Sequence, residues 1–291
     1  MNKSAPKMPK TVLQPIIESD NEKHSIKVFC AGLEAGEWRS HNLAHSLMAW
    51  LPDFALIPDE SQDLAEDDAW ERFRIAANKI YKTGFPEKRG EIGELVLHML
   101  CRKYFGTYPS VSKIYFKSSG GEVVKGFDLV HTKYDDEEDE VEFWFGEAKF
   151  YTDGSGAVYE AIKSVKEHLE IGFLKSEKIA IYNKVIKSSP GHQKIDFLLH
   201  IDNSVDEMTK RMVIPILVTF DSESLAAATH LDQDYIEALS TEIKPLADKF
   251  LNDHEFDKLE LRLLFVPTST KKILLTKFDQ IIQSMSEGNV E

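Results

Sequence analysis

Residues 122–149 read EVVKGFDLVHTKYDDEEDEVEFWFGEAK, a pattern typical of a β-hairpin. Apolar side chains recur along both predicted strands, 123–132 and 141–150, and the acidic loop 134–140 separates them as a solvated turn. Each strand carries apolar residues on both faces, so we expect two interior strands covered by helices. Side chains alternate between the two faces of a strand, which puts Glu147 and Lys149 on one face of the second strand.

Three charged residues of this hairpin predict its chemistry. Asp128 lies on the first predicted strand, on the face of Val130 and opposite Phe127, while Glu147 and Lys149 form a Glu-x-Lys on the second. Buried charges are costly unless they are neutralised, and two converging carboxylates offer the hard oxygen ligands that Mg²⁺ prefers. The lysine can then orient a water molecule or stabilise charge on a phosphate. The pattern resembles that of the PD-(D/E)xK nuclease superfamily; a structural ion pair near a strand end is the alternative interpretation.

A helix is predicted upstream, at 89–105, where the sequence is RGEIGELVLHMLCRKYF. Its polar face carries Glu91, Glu94 and His98. The helix dipole stabilises glutamates in a first turn, so capping and solubility are one interpretation. The other is that Glu94 supplies an additional metal ligand, with Glu91 as the second candidate and His98 as a neighbour of the site.

Composition constrains the partners of the chain. With 291 residues and 42% hydrophobic content, the sequence is typical of a globular protein. We identify no signal peptide and no apolar run long enough to span a membrane, and therefore expect a cytoplasmic protein without a membrane partner. The net charge of −14 opposes DNA binding through the protein's own surface. Either a metal and local lysines shield the site, or a second protein delivers the nucleic acid, which is the interpretation we favour. The acidic charge is also compatible with a substrate that is not nucleic acid.

The predicted fold class is α/β (α+β), with a restriction-endonuclease-like mixed sheet flanked by helices. We divide the chain into an N-terminal arm and helical lobe (1–84), a nuclease core (85–175) and an α/β extension suited to partner docking (176–291). Residues 1–21 are predicted to be a flexible arm. Further helices are predicted at 37–51 (ended by Pro52), 66–82, 153–174, 235–251 and 271–285; further strands at 26–33, 111–118, 195–201, 213–220 and 259–266. Pro215 indicates an edge strand or a bulge. Lys163 and Lys166 are candidate phosphate contacts, and Glu91 is a further candidate substrate contact.

Several runs together resemble the HamA family, the nuclease subunit of the Hachiman antiphage defence system. They are RGEIGELVLHML, SKIYFKSS, VKGFDLVH and FWFGEAKFYTD, followed by IDFLLHIDNSVDEM and VIPILVTFDSES, so the resemblance covers residues 85–230. It implies a restriction-endonuclease-like fold, DNA cleavage and a superfamily 2 helicase partner similar to HamB. It also implies that Asp128 and Glu147 are the acidic pair and Lys149 the lysine, and it leaves Glu91 and Glu94 open as the helical ligand.

The leading hypothesis is therefore a Mg²⁺-dependent DNA nuclease, with Mn²⁺ as a substitute, that cleaves with little sequence specificity beside a helicase in antiphage defence. The alternative is a catalytically silent nuclease-fold subunit that regulates or anchors the helicase. A third hypothesis is an enzyme acting on another phosphoester.

Overall fold

A computed structural model describes residues 8–21, 23–56, 69–81, 90–110, 126–182 and 184–287. Its centre is a six-stranded mixed sheet, which confirms the predicted fold class. The strands are β1 (Gln14–Asp20), β2 (His24–Cys30), β5 (Leu129–Asp135), β6 (Glu140–Phe150), β7 (Met212–Asp221) and β8 (Glu260–Thr268), in the order β1-β2-β8-β7-β6-β5. The four inner strands are parallel to one another, and β1 and β5 are antiparallel to their neighbours. Two short strands, β3 (Leu33–Glu34) and β4 (Glu37–Trp38), pair separately.

Helices cover both faces of this sheet. They are α1 (Ser40–Ala55), α2 (Ala69–Tyr81), α3 (Gly90–Phe105), α4 (Gly154–Leu169), α5 (Ile171–Tyr182), α6 (His192–Leu199), α7 (Val205–Thr209), α8 (Glu223–Ala227), α9 (Gln233–Leu251) and α10 (Lys271–Glu287). Helices α1, α3 and α10 form one hydrophobic core with the sheet, and α4, α5, α6 and α9 form the other. In the described parts of the chain, no helix has the length and apolarity needed to cross a membrane.

The alternation predicted for β6 is confirmed. Phe143 and Phe145 pack in the core that contains α4, which we call the α4 core. Trp144 and Phe150 pack in the core that contains α3, which we call the α3 core. β6 is an interior strand, while β5 is the outermost strand of the described sheet and forms a bridge from Thr132 to Tyr108 on its outer side. The predicted strand 111–118, and residues 123–125 of the predicted first hairpin strand, lie outside the described residues.

The first hairpin strand begins later than predicted. β5 starts at Leu129, so Asp128 precedes the strand. The prediction that Phe127 lies on the face opposite Val130 is wrong: both residues pack in the core on the α4 face, where the ring centroids of Phe127 and Phe145 are 5.0 Å apart. Residues 126–128 are not part of the strand, so its strict alternation does not govern them.

The prediction that Pro215 marks an edge strand or a bulge is also wrong. Its strand, β7, lies between β6 and β8, and the β6–β7 register is unchanged on both sides of the proline. Gly146 on β6 explains this tolerance, because a Cβ at Gly146 would lie 3.1 Å from Pro215 Cγ. A residue without a side chain leaves room for the proline ring in the middle of the sheet.

Three local predictions fail for identifiable reasons. Part of the predicted flexible arm forms β1, a polar edge strand held by backbone pairing to β2. The predicted strand 195–201 is helix α6, whose buried Ile195, Leu198 and Leu199 have i, i+3, i+4 spacing. Pro52 does not end the first helix, because α1 continues to Ala55.

The remaining helical and strand predictions in the C-terminal part are confirmed by α9, β8 and α10. The predicted helix 153–174 is two helices, α4 and α5, separated at Glu170. The division into three segments stays a prediction. Helices from the first, second and third segments, α1, α3 and α10, share one core.

Candidate active site

The carboxyl end of β6 carries a nearly buried ion pair. Glu147 is only 3% exposed, and Lys149 lies two residues further on the same face of the strand. Lys149 Nζ donates to Glu147 Oε1 at 2.7 Å and to Ser164 Oγ on α4 at 3.0 Å. The alternation of β6 therefore directs both charged groups towards α4, and Ser164 helps to fix the ammonium.

Asp128 completes the acidic pair. Its Oδ2 accepts a hydrogen bond from the backbone N–H of Ala148 at 3.0 Å, directly beyond the point where Leu129 pairs with Gly146. The Asp128 carboxylate thus contacts Ala148 of β6, the residue between Glu147 and Lys149 in the sequence. Burial disfavours the ammonium of Lys149, but the charges of Glu147 and then Asp128 outweigh burial and raise its pKa. Asp128, Glu147 and Lys149 are therefore brought together.

His168, which the sequence analysis did not identify, belongs to the same place. Its Nδ1 lies 3.6 Å from Glu147 Oε2. The ring stacks on Phe173 at 4.5 Å between centroids and meets Phe127 edge-on at 4.8 Å. Its spacing of four residues from Ser164 puts both on one side of α4, but that signal has meaning only once α4 is known to pack on β6. We call Asp128, Glu147, Lys149 and His168 the β6-end cluster.

The helical glutamates lie on a helix that packs against the opposite face of β6. A Cβ at Gly93 of α3 would lie 3.0 Å from Phe150 Cβ and 3.6 Å from Ala148 Cβ, whereas Glu147 faces α4. The start of α3, where Gly93 lies between Glu91 and Glu94 in the sequence, is nevertheless level with the carboxyl end of β6. Within the described ranges, no group of three or more His, Cys, Asp and Glu is arranged to hold a metal ion. Glu94 as a ligand stays a prediction, as does the alternative, Glu91.

The two candidate phosphate-binding lysines lie elsewhere on α4. Lys166 Nζ contacts Asp253 and Glu255, each at 2.8 Å, and hydrogen bonds to these carboxylates raise its pKa. Lys163 is exposed on the outer surface of the helix. The charge of Lys166 is thus already compensated, and phosphate contacts by either lysine stay predictions.

The chemistry of the β6-end cluster fits a hard divalent cation. Asp128 and Glu147 supply carboxylate oxygens, and Mg²⁺ sites commonly use one or two protein carboxylates together with water and substrate phosphate oxygens. Two carboxylates face one ammonium here, so the cluster carries excess negative charge. An added cation would neutralise that excess.

A second polar cluster lies on the other face of the hairpin. His98 Nε2 lies 2.8 Å from Asp53 Oδ2, and His98 Nδ1 lies 3.1 Å from His131 Nε2. Arg102 Nε donates to Asp53 Oδ2 at 3.0 Å, and Thr107 Oγ1 lies 2.8 Å from His131 Nδ1. The prediction that His98 lies on the polar face of its helix is wrong, since it is 3% exposed. We call these five residues the buried histidine cluster.

Burial and the neighbouring polar groups together set the protonation of this second cluster. Burial lowers the pKa of His131 well below 6.5, and electrostatic interactions with His98 and Arg102 lower it further. Burial also opposes the charge of Asp53, but hydrogen bonds and charges of His98 and Arg102 outweigh it and lower the pKa of Asp53. The cluster therefore combines a neutral His131 with an ionised Asp53 held by Arg102.

The sequence was compared with models of known families and with curated proteins. A family model described as HamA matches residues 7–282, which is nearly the whole chain. No curated protein matches the sequence.

Proposed function

Because the chain belongs to the HamA family, a membership that suggests a role in antiphage defence, we propose that it is a metal-dependent DNA nuclease. The catalytic centre in this proposal is the carboxyl end of β6. The observation that carries the proposal is the meeting of Asp128, Glu147 and Lys149, with Lys149 bonded to Glu147 at 2.7 Å and shifted in pKa by both carboxylates.

Each residue has a distinct role in this proposal. Asp128 and Glu147 hold a divalent cation, Mg²⁺ or Mn²⁺, and Glu94 is proposed as a further ligand. When bound, the cation supplies Lewis-acid polarisation of a phosphate oxygen and lowers the pKa of bound water. Lys149 stabilises the negative charge that develops on the phosphate, and Ser164 orients the ammonium. Contacts confined to phosphate carry no sequence information, so we expect cleavage with little base specificity.

A partner is part of the proposal because of the charge of the chain. With a net charge of −14, the protein repels a polyanion. The ammonium of Lys149, which belongs to the β6-end cluster, is already paired with Glu147. We propose that a superfamily 2 helicase similar to HamB brings the DNA strand to the β6-end cluster. Nuclease activity of the chain is then low until the helicase is bound.

One observation favours the silent-subunit alternative. The described residues contain no group of three acidic or histidine ligands, and Glu147 is already paired with Lys149. A chain that used this pair only to stabilise the sheet would bind and regulate its helicase without cleaving DNA. The two functions differ in one measurable property: only a nuclease shows DNA cleavage that is lost when an acidic residue of the cluster is neutralised.

The test is a DNA cleavage assay with the full chain, alone and with the helicase, in Mg²⁺, in Mn²⁺ and in a chelator. We expect metal-dependent cleavage that the helicase increases and that Asp128→Asn lowers about 10²-fold or more. Asp136→Asn, on the exposed hairpin turn, is the matched control and should cleave normally. Equal cleavage by Asp128→Asn, or cleavage that persists in chelator, contradicts the proposal. Equal rates with and without helicase contradict the delivery role.

A further inference from the structure

His168 lies where it can act on one oxygen of Glu147 while Lys149 acts on the other. Lys149 Nζ donates to Oε1 at 2.7 Å, and His168 Nδ1 lies 3.6 Å from Oε2. A carboxylate contacted from both sides is restricted in its rotation. The free energy spent on ordering a metal ligand falls when the ligand is held in advance.

The imidazole is itself held by aromatic packing. Phe173 stacks on the ring with planes 21° apart, and Phe127 meets it edge-on. The His168 side chain is 13% exposed, so its ring has little room to swing away. Phe127 directly precedes Asp128 in the chain, and the same aromatic residue therefore connects the imidazole to the second acidic residue of the cluster.

The 3.6 Å between His168 Nδ1 and Glu147 Oε2 exceeds a hydrogen bond, but it is close enough for a small movement of the side chains to make one. Catalytic contacts are commonly longer before substrate binds and shorten in the loaded complex. A ligating carboxylate is usually hydrogen-bonded by a second group that sets its orientation, and removing such a group costs about 10- to 100-fold in metal affinity or activity.

We propose that His168 is a positioning residue that orients the Glu147 carboxylate for a divalent cation, through Nδ1. The inference rests on the proposed metal-dependent function. His168 itself contacts neither the cation nor the DNA. If His168 instead serves only to pack between the two phenylalanines, a substitution that keeps a ring and removes the nitrogen should leave the metal affinity unchanged.

The test compares two substitutions of His168 in the full chain. His168→Phe keeps a ring between Phe127 and Phe173 and removes Nδ1; His168→Asn loses the ring but has an amide nitrogen near the position of Nδ1. His200→Phe is the matched control, because His200 also meets an aromatic ring, that of Tyr182, at 5.7 Å. Melting temperature identifies any variant that fails to fold.

The primary measurement is Mn²⁺ affinity by isothermal titration calorimetry. We expect His168→Phe to bind Mn²⁺ about 10- to 100-fold more weakly, His168→Asn to recover most of that loss, and His200→Phe to match wild type. In the cleavage assay, His168→Phe should lower kcat and leave KM for DNA unchanged, because the imidazole does not bind DNA.

A second measurement holds even if one variant is unstable. In a Glu147→Gln background the carboxylate charge that His168 orients is gone, so adding His168→Phe or His168→Asn should change Mn²⁺ affinity no further. Wild-type affinity in His168→Phe, or equal weakening by both His168 variants, overturns this inference alone. Absence of Mn²⁺ binding by the wild-type chain overturns it together with the proposed function.

Discussion

The β6-end cluster and the buried histidine cluster use similar residues on opposite faces of one hairpin, and they differ in charge balance. In the buried cluster, Arg102 Nε and Nη2 donate to the two oxygens of Asp53 at 3.0 Å and 3.4 Å. In the β6-end cluster, two carboxylates face one ammonium. A balanced and buried network favours stability, whereas an excess of negative charge favours an added cation.

The largest expected effect separates the two clusters by chemistry. The double variant Glu147→Gln, Lys149→Met removes both charges, and we expect DNA cleavage by the helicase-bound chain to fall by about 10²- to 10³-fold. Stability should fall less than in Lys149→Met alone, because the double variant removes both members of the buried pair and leaves only the Asp128 carboxylate, which keeps its hydrogen bond from the Ala148 N–H. Cleavage rate and urea denaturation measure the two quantities.

The matched control is an ion pair at the protein surface between Asp139 on the hairpin turn and Lys194 on α6, with Lys194 Nζ and Asp139 Oδ2 3.0 Å apart. Asp139→Asn, Lys194→Met should preserve cleavage and stability. If both double variants cleave like wild type, the β6-end cluster has no catalytic role and the contrast between the clusters disappears.

The second effect should be confined to the buried cluster. Asp53→Ala leaves the donors of His98 and Arg102 without their carboxylate, and we expect the free energy of unfolding to fall by about 2 to 3 kcal/mol. Cleavage per folded molecule should be unchanged. Urea denaturation at neutral pH gives the first value, and a cleavage assay at low temperature gives the second. If Asp53→Ala loses cleavage and keeps its stability, the buried histidine cluster has a catalytic role, which would contradict our assignment of catalysis to the β6-end cluster.

Gly146 tests the backbone that separates the two clusters. A Cβ there would lie 2.8 Å from Leu97 Cδ2 and 3.0 Å from Leu129 Cβ, so Gly146→Ala should destabilise the fold by about 1 to 3 kcal/mol. Gly172→Ala is the control, because a Cβ at Gly172 meets no described atom within 4 Å and alanine favours a helix. In thermal denaturation, Gly146→Ala should lower the melting temperature and Gly172→Ala should raise it. A Gly146→Ala protein as stable as wild type would show that the hairpin, Leu97 and Pro215 can separate without cost.

The smallest effect concerns pH and His131. Burial, with the charges of His98 and Arg102, lowers its folded pKa well below 6.5, although Asp53 opposes this shift. Below pH 6.5 the unfolded chain binds a proton at this residue that the folded chain does not. The free energy of unfolding therefore decreases as the pH is lowered, by at most about 1.4 kcal/mol per pH unit. His131→Gln removes that contribution, and the stability difference between wild type and variant should shrink from pH 7 to pH 5.5. A constant difference would mean that His131 is not held neutral.

Sequence reasoning succeeded where the pattern was local and strong. The alternation of β6 correctly separated Glu147 and Lys149 from Trp144 and Phe150, because the side chains of a regular strand must alternate. It failed for 195–201, a short apolar run whose period fits a helix as well as a strand. It also failed at Pro215, whose tolerance depends on a glycine in the neighbouring strand.

Residues whose role depends on packing could not be found in the same way. His168 acquires a role only because α4 lies on β6 and Phe173 stacks on its ring. His98 looked like a surface residue, but Asp53 from α1 and His131 from β5 provide the partners that make its burial affordable in free energy. Such partners are distant in sequence, and no local spacing predicts them.

The most direct measurement is anomalous X-ray diffraction from crystals of the full chain soaked in Mn²⁺. We predict one anomalous peak at the carboxyl end of β6, within about 2.2 Å of a carboxylate oxygen of both Asp128 and Glu147. Lys149 should lie beside the cation without coordinating it. Ordered Asp128 and Glu147 side chains with no peak between them, at Mn²⁺ concentrations that support cleavage, would contradict the account.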